Sequence, residues 1–128
     1  MIDRLVGDWF VVATTFPMWT SGRRTHPRFH YEPLPGDRMR DVVSYRDSKG
    51  REKTIEGVDV QLAPGRFRWR GKGALALFTS TWQVEELHDD WGLITFTKSL
   101  VTPAGADIIA RTPEVPKLPD GFTPISHV

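Results

Sequence analysis

Two tyrosines and a glutamate, Tyr31, Tyr45 and Glu86, are the strongest candidates for acid–base chemistry in this 128-residue sequence, with His30 as an alternate. Glu86 shares the parity of Trp82 in an alternating segment, so we expect its carboxylate to face the same interior. A buried carboxylate has a raised pKa and can exchange protons with a substrate beside tyrosine hydroxyls. The competing interpretation, which we favour, places Glu86 at a strand end in solvent.

Other catalytic signatures are absent from the sequence. The four histidines have no spacing that would gather three of them around a metal, and no cysteine is present to supply a thiolate or a disulfide. There is no nucleophile elbow, phosphate-binding loop or dinucleotide fingerprint. The sequence therefore predicts no metal site and no cofactor, and it favours binding over catalysis.

The charge is unevenly distributed along the chain. Residues 23–72 hold 13 Lys and Arg against 7 Asp and Glu, although the whole chain has a net charge of only +1. This asymmetry fits either an anionic partner or, as we favour, the solvated faces of strands, and we predict no nucleic-acid binding. No run of about 18 apolar residues occurs, which argues against stable membrane insertion. The first residues do not resemble a signal peptide, so we expect a cytoplasmic protein.

The segment 66–72 alternates strictly between basic residues and the set Phe67, Trp69 and Gly71, which is typical of a half-buried strand. No window sustains a helical period over three turns. The same alternation test predicts eight strands, at residues 6–16, 26–33, 38–46, 53–62, 65–71, 79–87, 92–100 and 105–112.

Tight and loose connections alternate between these segments. The tight ones, at 33–37, 63–65 and 88–92, fall at one end of an up-and-down meander, and the looser ones fall at the other. Eight antiparallel strands of this kind close into an all-β barrel, which removes exposed edges. We predict a single domain over 1–128, with the barrel at about 5–113 and an extended tail at 114–128.

Three short motifs carry a resemblance to a known family. Gly7-Asp8-Trp9 opens the first strand, Asp90-Trp91 lies in the sixth connection, and Arg111-Thr112-Pro113 ends the eighth strand. The sequence resembles the lipocalin (calycin) family, in particular its small bacterial-type members. The resemblance implies that Arg111 lies over Trp9 at the closed end of the barrel, a cation–π contact of about 0.5–2 kcal/mol. It also implies a barrel that holds a small hydrophobic ligand.

The tail departs from the family pattern. Lipocalins follow the last motif with an α-helix, whereas the prolines of segment 114–124 exclude a normal helix here. The outer face of the first strand, at Phe10 and Val12, must therefore be covered by the extended tail or by a second subunit. A homodimer is one of these two alternatives.

The barrel interior has two interpretations that the sequence leaves open. An eight-stranded barrel can be filled by side chains or can hold one small ligand. Strand parity points a mostly apolar set inward. The predicted ligand-binding residues are Val11, Ala13, Phe29, Tyr31, Tyr45, Val58, Val60, Phe67, Trp69, Trp82, Val84 and Glu86, and Leu62 shares their parity.

The loops at the open end also carry side chains that suggest a role. Met18, Trp19 and the apolar segment 74–78 suggest a lid or plug over the mouth, and a membrane or partner contact is the alternative. Basic residues flank the same mouth and could attract an anionic ligand head or simply be solvated. These basic residues are Arg23, Arg24, His26 and Arg28.

The leading functional prediction is binding, and thus carriage or sequestration, of a small hydrophobic or aromatic molecule inside the barrel. One alternative is an enzyme acting on an aromatic or unsaturated acid through Tyr31, Tyr45 and Glu86. Another is a barrel without a ligand that acts through its surface.

Overall fold

A computed structural model describes residues 1–100, 102–114 and 117–128. Its strands and helices, in chain order, are α1 (Ile2–Leu5), β1 (Gly7–Thr14), α2 (Pro17–Thr20), β2 (Thr25–Leu34), β3 (Arg38–Arg46), β4 (Glu52–Ala63), β5 (Arg66–Gly71), a 3₁₀ turn (Gly73–Leu75), β6 (Thr79–Leu87), β7 (Trp91–Phe96), β8 (Gly105–Ala110) and β9 (Thr123–Pro124).

Eight antiparallel strands close into an up-and-down barrel. Each of β2 to β7 pairs with its sequence neighbours, β8 pairs with β7, and β1 pairs with both β8 and β2, which closes the sheet. The predicted fold class is therefore confirmed, and the described part of the tail contains no helix. The seventh strand ends at Phe96, earlier than predicted. Because strands alternate in direction, α1 and the tight connections lie at one end, and α2 and the 3₁₀ turn lie at the other.

β-Bulges in β1 and β6 overturn two of the inward assignments. In β1 the pairing register shifts between Val11 and Ala13, and in β6 it shifts between Val84 and Glu86. A bulge adds one residue to a strand and so reverses the parity of everything beyond it. Ala13 consequently faces outward instead of into the barrel, and Glu86 faces solvent.

The inward assignment of β4 was also wrong, for a different reason. Val60 and Leu62 are 41% and 42% exposed, and Val58 shares their outer face, where it pairs with Arg40 and Arg70. The inward positions are Gly57 and Asp59. A Cβ atom at Gly57 would overlap the Trp69 indole, so this strand must present glycine to the interior. A strand whose inward positions are a glycine and an aspartate lacks the alternating apolar residues by which a core strand is recognised in a sequence.

The C-terminal tail covers the outer face of β1. Val12 and Ala13 pack with Ile108 of β8 in an outer cluster, against which Leu118 and Phe122 of the tail are placed. The tail also continues the sheet, because the Ile125 amide donates a hydrogen bond of 2.9 Å to the carbonyl oxygen of Val12.

The tail reaches the second predicted outward residue as well. Phe10 lies edge-on to the His127 ring, with the ring centroids 5.1 Å apart. Of the two covers predicted for Phe10 and Val12, the structure shows the tail. Residues 115 and 116 of the predicted tail lie outside the described residues.

Candidate functional site

The floor of the barrel is built from Trp9 and Arg111, as the resemblance implied. The Arg111 guanidinium carbon lies 3.6 Å from the Trp9 ring centroid. The same guanidinium donates hydrogen bonds to the carbonyl oxygens of Arg4, Val6 and Asp8, and Trp9 Nε1 donates to Leu5 O at 2.8 Å. Helix α1 is thus tied beneath the barrel and seals this end.

The half of the barrel next to this floor, here called the closed half, is packed solid. Trp82 stacks on Phe67 at a centroid distance of 4.6 Å and on Tyr31 at 5.7 Å, so three rings span the interior. Trp82 Nε1 donates a hydrogen bond of 2.9 Å to Asp59 Oδ1. Apolar side chains fill the space between these rings and the floor: Leu5, Val11, Met39, Ile94 and Ile109. The packed-core interpretation therefore holds for this half.

The other half, here called the open half, contains a cavity of about 380 Å³. Trp82 and Tyr31 form its inner end, and its wall is mainly apolar and aromatic. The wall residues include Phe29, Val43, Ile55, Trp69, Ser80 and Phe96. Ligand pockets run from roughly 300 to 1,000 Å³, so this one is at the small end of that range. Its size suits one or two rings, not a folded long-chain lipid.

Two short apolar segments border the mouth of the cavity. Met18 and Trp19 of α2 line the cavity from one side, and Leu75 and Phe78 line it from the other. Trp19 is only 5% exposed and packs against Tyr45 at a centroid distance of 5.9 Å.

A glycine allows the second of these segments to fold over the mouth. A Cβ atom at Gly71 would collide with Leu75, so only glycine lets the 3₁₀ turn lie against β5. Leu77 of the same loop is 89% exposed and takes no part in the cover. Of the segment 74–78, Leu75 and Phe78 therefore line the cavity, and whether they act as a lid stays a prediction.

The basic residues predicted to flank the mouth separate in the structure. Arg24 lines the cavity and lies over the Tyr45 ring at 5.0 Å. Arg28 is paired with Glu52, and His26 hydrogen-bonds to Val128 O. Arg23 is exposed and does not line the cavity.

Three buried aspartates were not among the predicted site residues. Asp41, Asp59 and Asp107 point into the barrel from β3, β4 and β8, and Asp41 and Asp107 line the cavity. One oxygen of each carboxyl group accepts no hydrogen bond from the described residues. The available signal was parity: Asp41 alternates with Met39, which is buried.

Burial controls the ionisation of this group. Removal from water raises the pKa of Asp41 to about 6 and that of Asp107 to about 7, although contacts with Asp59 and Thr14, respectively, oppose the rise. Burial and the adjacent Asp41 raise the pKa of Asp59 well above its ordinary value. The pKa of Tyr31 is raised by burial and by the three carboxyl groups.

The predicted acid–base constellation is not assembled. Tyr31 lies at the inner end of the cavity, and Tyr45 lies at the mouth under Arg24. The Glu86 side chain is 51% exposed and bonds to His88 Nε2 at 2.7 Å, outside the barrel. The alternate, His30, hydrogen-bonds to the exposed Asp8 and the half-buried Glu32. The enzyme hypothesis thus loses the carboxylate on which it was built.

The other predicted site residues fall into three groups. Phe29, Tyr31, Trp69 and Trp82 line the cavity. Val11 and Phe67 are buried in the closed half, Val84 packs against the buried core, and Tyr45 packs against Trp19 near the mouth. The positions that face away from the interior are Ala13, Val58, Val60 and Glu86.

The described residues contain neither a cluster of metal-ligating side chains nor a membrane-spanning helix. No three His, Asp or Glu side chains there could hold a metal ion together. No helix in the same ranges is long and apolar enough to cross a membrane.

Comparison with known proteins identifies the fold. No protein-family model and no curated protein sequence matches the chain. Among solved structures, the siderocalin Ex-FABP superposes with a TM-score of 0.67 at 16% identity over 88% of this chain and 77% of its own. The bovine lipocalin allergen Bos d 2 gives 0.63 at 9% identity over 90% and 77%.

A third similar structure is a biogenic amine-binding protein, with a TM-score of 0.61 at 8% identity over 88% of this chain and 66% of its own. At these identities the likeness concerns the fold, and the chain spans 66–77% of the length of each of the three. The fold is that of a lipocalin-like calycin barrel.

Proposed function

We propose that the protein binds a small hydrophobic or aromatic molecule in the open-half cavity. The observation that carries this proposal is the division of the interior: one half is filled by buried aromatic and aliphatic side chains, whereas the other holds a cavity of about 380 Å³ bordered by two apolar loop segments. A barrel that acted only through its surface would have no need to leave this volume unfilled, because each unfilled methylene-sized gap costs stability.

The wall chemistry sets the shape of the ligand. Trp69 and Phe29 offer flat apolar faces, and Trp82 closes the inner end with its ring. Aromatic faces bind flat rings through offset or edge contacts worth about 0.5–1.5 kcal/mol beyond the area they bury. One or two fused rings therefore match the cavity in both volume and surface.

The structural neighbours support ligand binding in general terms. The siderocalin is described as functioning through dual ligand specificities, and another neighbour is named for binding biogenic amines. Carriage or sequestration as the use of that binding, and a cytoplasmic location, remain predictions from the sequence.

The test is a fluorescence titration with prodan, a neutral two-ring naphthalene dye whose emission shifts to the blue in apolar surroundings. We expect a blue shift together with loss of tryptophan emission, since Trp69 and Trp82 line the cavity. Ser80→Phe fills the cavity from β6 and should abolish the response. Thr81→Phe, at the neighbouring outward position, should leave it intact.

Two results would count against the proposal. Equal dye binding by Ser80→Phe and Thr81→Phe would place the dye outside the barrel. Absence of binding by prodan, 2-phenylethylamine, 2-phenylethanol and 3-phenylpropionate would rule out the small-ligand function altogether.

A further inference from the structure

The inner end of the cavity holds two carboxyl groups without cationic partners. Asp41 and Asp107 are 6% and 1% exposed, and both line the cavity. In each, Oδ1 accepts no hydrogen bond from the described residues. Strands β3 and β8, which carry them, are separated by β2 and β1 around the barrel, so the two groups approach the interior from different sides.

On the outer surface, by contrast, two acids have cationic partners. Glu32 and Glu56 are bridged by Arg40, and Glu56 also pairs with Lys72. Inside, the described cavity lining contains a single cation, Arg24, and it lies at the mouth over the Tyr45 ring. Buried acids are normally paired because an isolated buried carboxylate is costly. Two such acids at the end of a ligand cavity therefore point to a cation supplied by the ligand.

We propose that Asp41 and Asp107 form a cation subsite, and that the ligand is a small aromatic amine whose ammonium group lies between them. This inference rests on the proposed function and names the chemical class of its ligand. The ammonium donates hydrogen bonds to Oδ1 of both aspartates, and the ring lies outward against Trp69 and Phe29.

The aromatic rings at the inner end fit the same ligand. Tyr31 and Trp82 stack nearly parallel, at 17°, and both border the cavity. Because Trp82 stacks on Phe67 as well as on Tyr31, these rings contribute a dry apolar wall, and the low local dielectric strengthens the attraction between an ammonium and the two acids. An anionic head would instead meet the acids at this end, and the one cation in the described part of the cavity lining, Arg24, lies at the mouth.

The alternative ligand is a neutral molecule with a carbonyl or hydroxyl oxygen, since a protonated carboxyl group can donate a hydrogen bond to it. The two ligands differ in pH dependence. The groups that face the subsite are Asp41, Asp59, Asp107 and Tyr31, with Arg24 at the mouth. Burial raises the pKa of Asp41 to about 6 and of Asp107 to about 7. A cation requires the ionised acids, so its affinity should rise with pH through this range, whereas that of a neutral acceptor should fall.

The experiment is isothermal titration calorimetry at pH 8 with three matched probes: 2-phenylethylamine as the cation, 2-phenylethanol as the neutral compound and 3-phenylpropionate as the anion. We expect the amine to bind roughly 10- to 100-fold more tightly than the alcohol, the range of a charge-assisted hydrogen bond. The anion should bind least.

Three variants locate the effect. Asp41→Asn and Asp107→Asn should each lower amine affinity about tenfold or more and leave the alcohol unchanged. Glu86→Gln, which removes an exposed carboxylate, should change neither. If an asparagine variant does not fold, the wild-type protein still decides the question. Amine binding near pH 6 should release protons, which appears as a dependence of the binding heat on the buffer.

The outcomes separate this inference from the proposed function. Equal affinity for amine and alcohol, or amine binding that weakens as the pH rises from 5 to 8, overturns the cation subsite and leaves small-ligand binding standing. Tightest binding of 3-phenylpropionate also overturns it. Failure of all three probes and of prodan overturns both.

Discussion

Replacing Asp107 by asparagine should make the unliganded protein more stable at neutral and alkaline pH. Asp107 is 1% exposed and has no cationic partner among the described residues. Asparagine has nearly the same shape, and its side-chain oxygen can still receive the Thr14 hydroxyl contact. The substitution thus removes a buried ionisable group with little change in packing.

The size of the effect follows from linkage. Burial raises the pKa of Asp107 from an ordinary 3.8 to about 7, so the folded state binds a proton that the unfolded state has released. Between pH 3.8 and pH 7 the ionisation of Asp107 lowers the free energy of unfolding of the wild type by about 1.4 kcal/mol per pH unit, and above pH 7 the loss is complete. The total for this group is of the order of 4 kcal/mol.

The assay is urea unfolding of wild type and Asp107→Asn at pH 5 and pH 8. Because pH 5 lies roughly a third of the way from pH 3.8 to pH 7, the variant should be only about 1–2 kcal/mol more stable than the wild type there. At pH 8 the gain should approach about 4 kcal/mol. A difference that stays constant between the two pH values, or a variant less stable than wild type at pH 8, would refute the burial of an unpaired acid at this site.

Three further predictions concern other parts of the barrel. Arg111→Ala removes the cover of Trp9 and three carbonyl contacts, and it should lower the free energy of unfolding by about 2–4 kcal/mol in urea. Gly57→Ala forces a methyl group into the Trp69 ring and should cost about 1–3 kcal/mol and weaken prodan binding. Deletion of residues 115–128 should expose the outer cluster, lower stability by at least about 2 kcal/mol and cause self-association on gel filtration.

Each of these has its own contradicting result. Full stability of Arg111→Ala, or equal stability of Arg111→Lys and the wild type, would show that the planar stacking and the three carbonyl hydrogen bonds do not stabilise the floor. Unchanged prodan affinity in Gly57→Ala would mean that Trp69 does not shape the cavity. A truncated chain that stays monomeric and equally stable would show that the tail covers nothing.

The features of this barrel that the sequence predicts are those set by local pattern. Strict alternation around Phe67 and Trp69 identified β5 and its inward face, and the motif residues Trp9 and Arg111 met at the floor. The tight connections were also predicted, because a tight turn is determined by a few neighbouring turn-forming residues.

The features that the sequence did not predict depend on interactions between segments that are distant in the chain. Bulges in β1 and β6 reversed the parity at Ala13 and Glu86, and no residue type marks where an extra residue will be inserted. In β4 the inward position of Gly57 is imposed by the Trp69 ring, a contact across strands. The three buried aspartates were not predicted because the sequence does not distinguish a buried aspartate from a solvated one. Only closure of the barrel determines which face Asp107 takes.

A crystal structure of the protein with 2-phenylethylamine would locate both the ligand and its charged group. We expect density for one molecule in the open half, with the ring against Trp69 and the nitrogen within hydrogen-bond distance of Oδ1 of Asp41 and Asp107. An interior filled by side chains at this position, or an amine bound only on the outer surface, would contradict it.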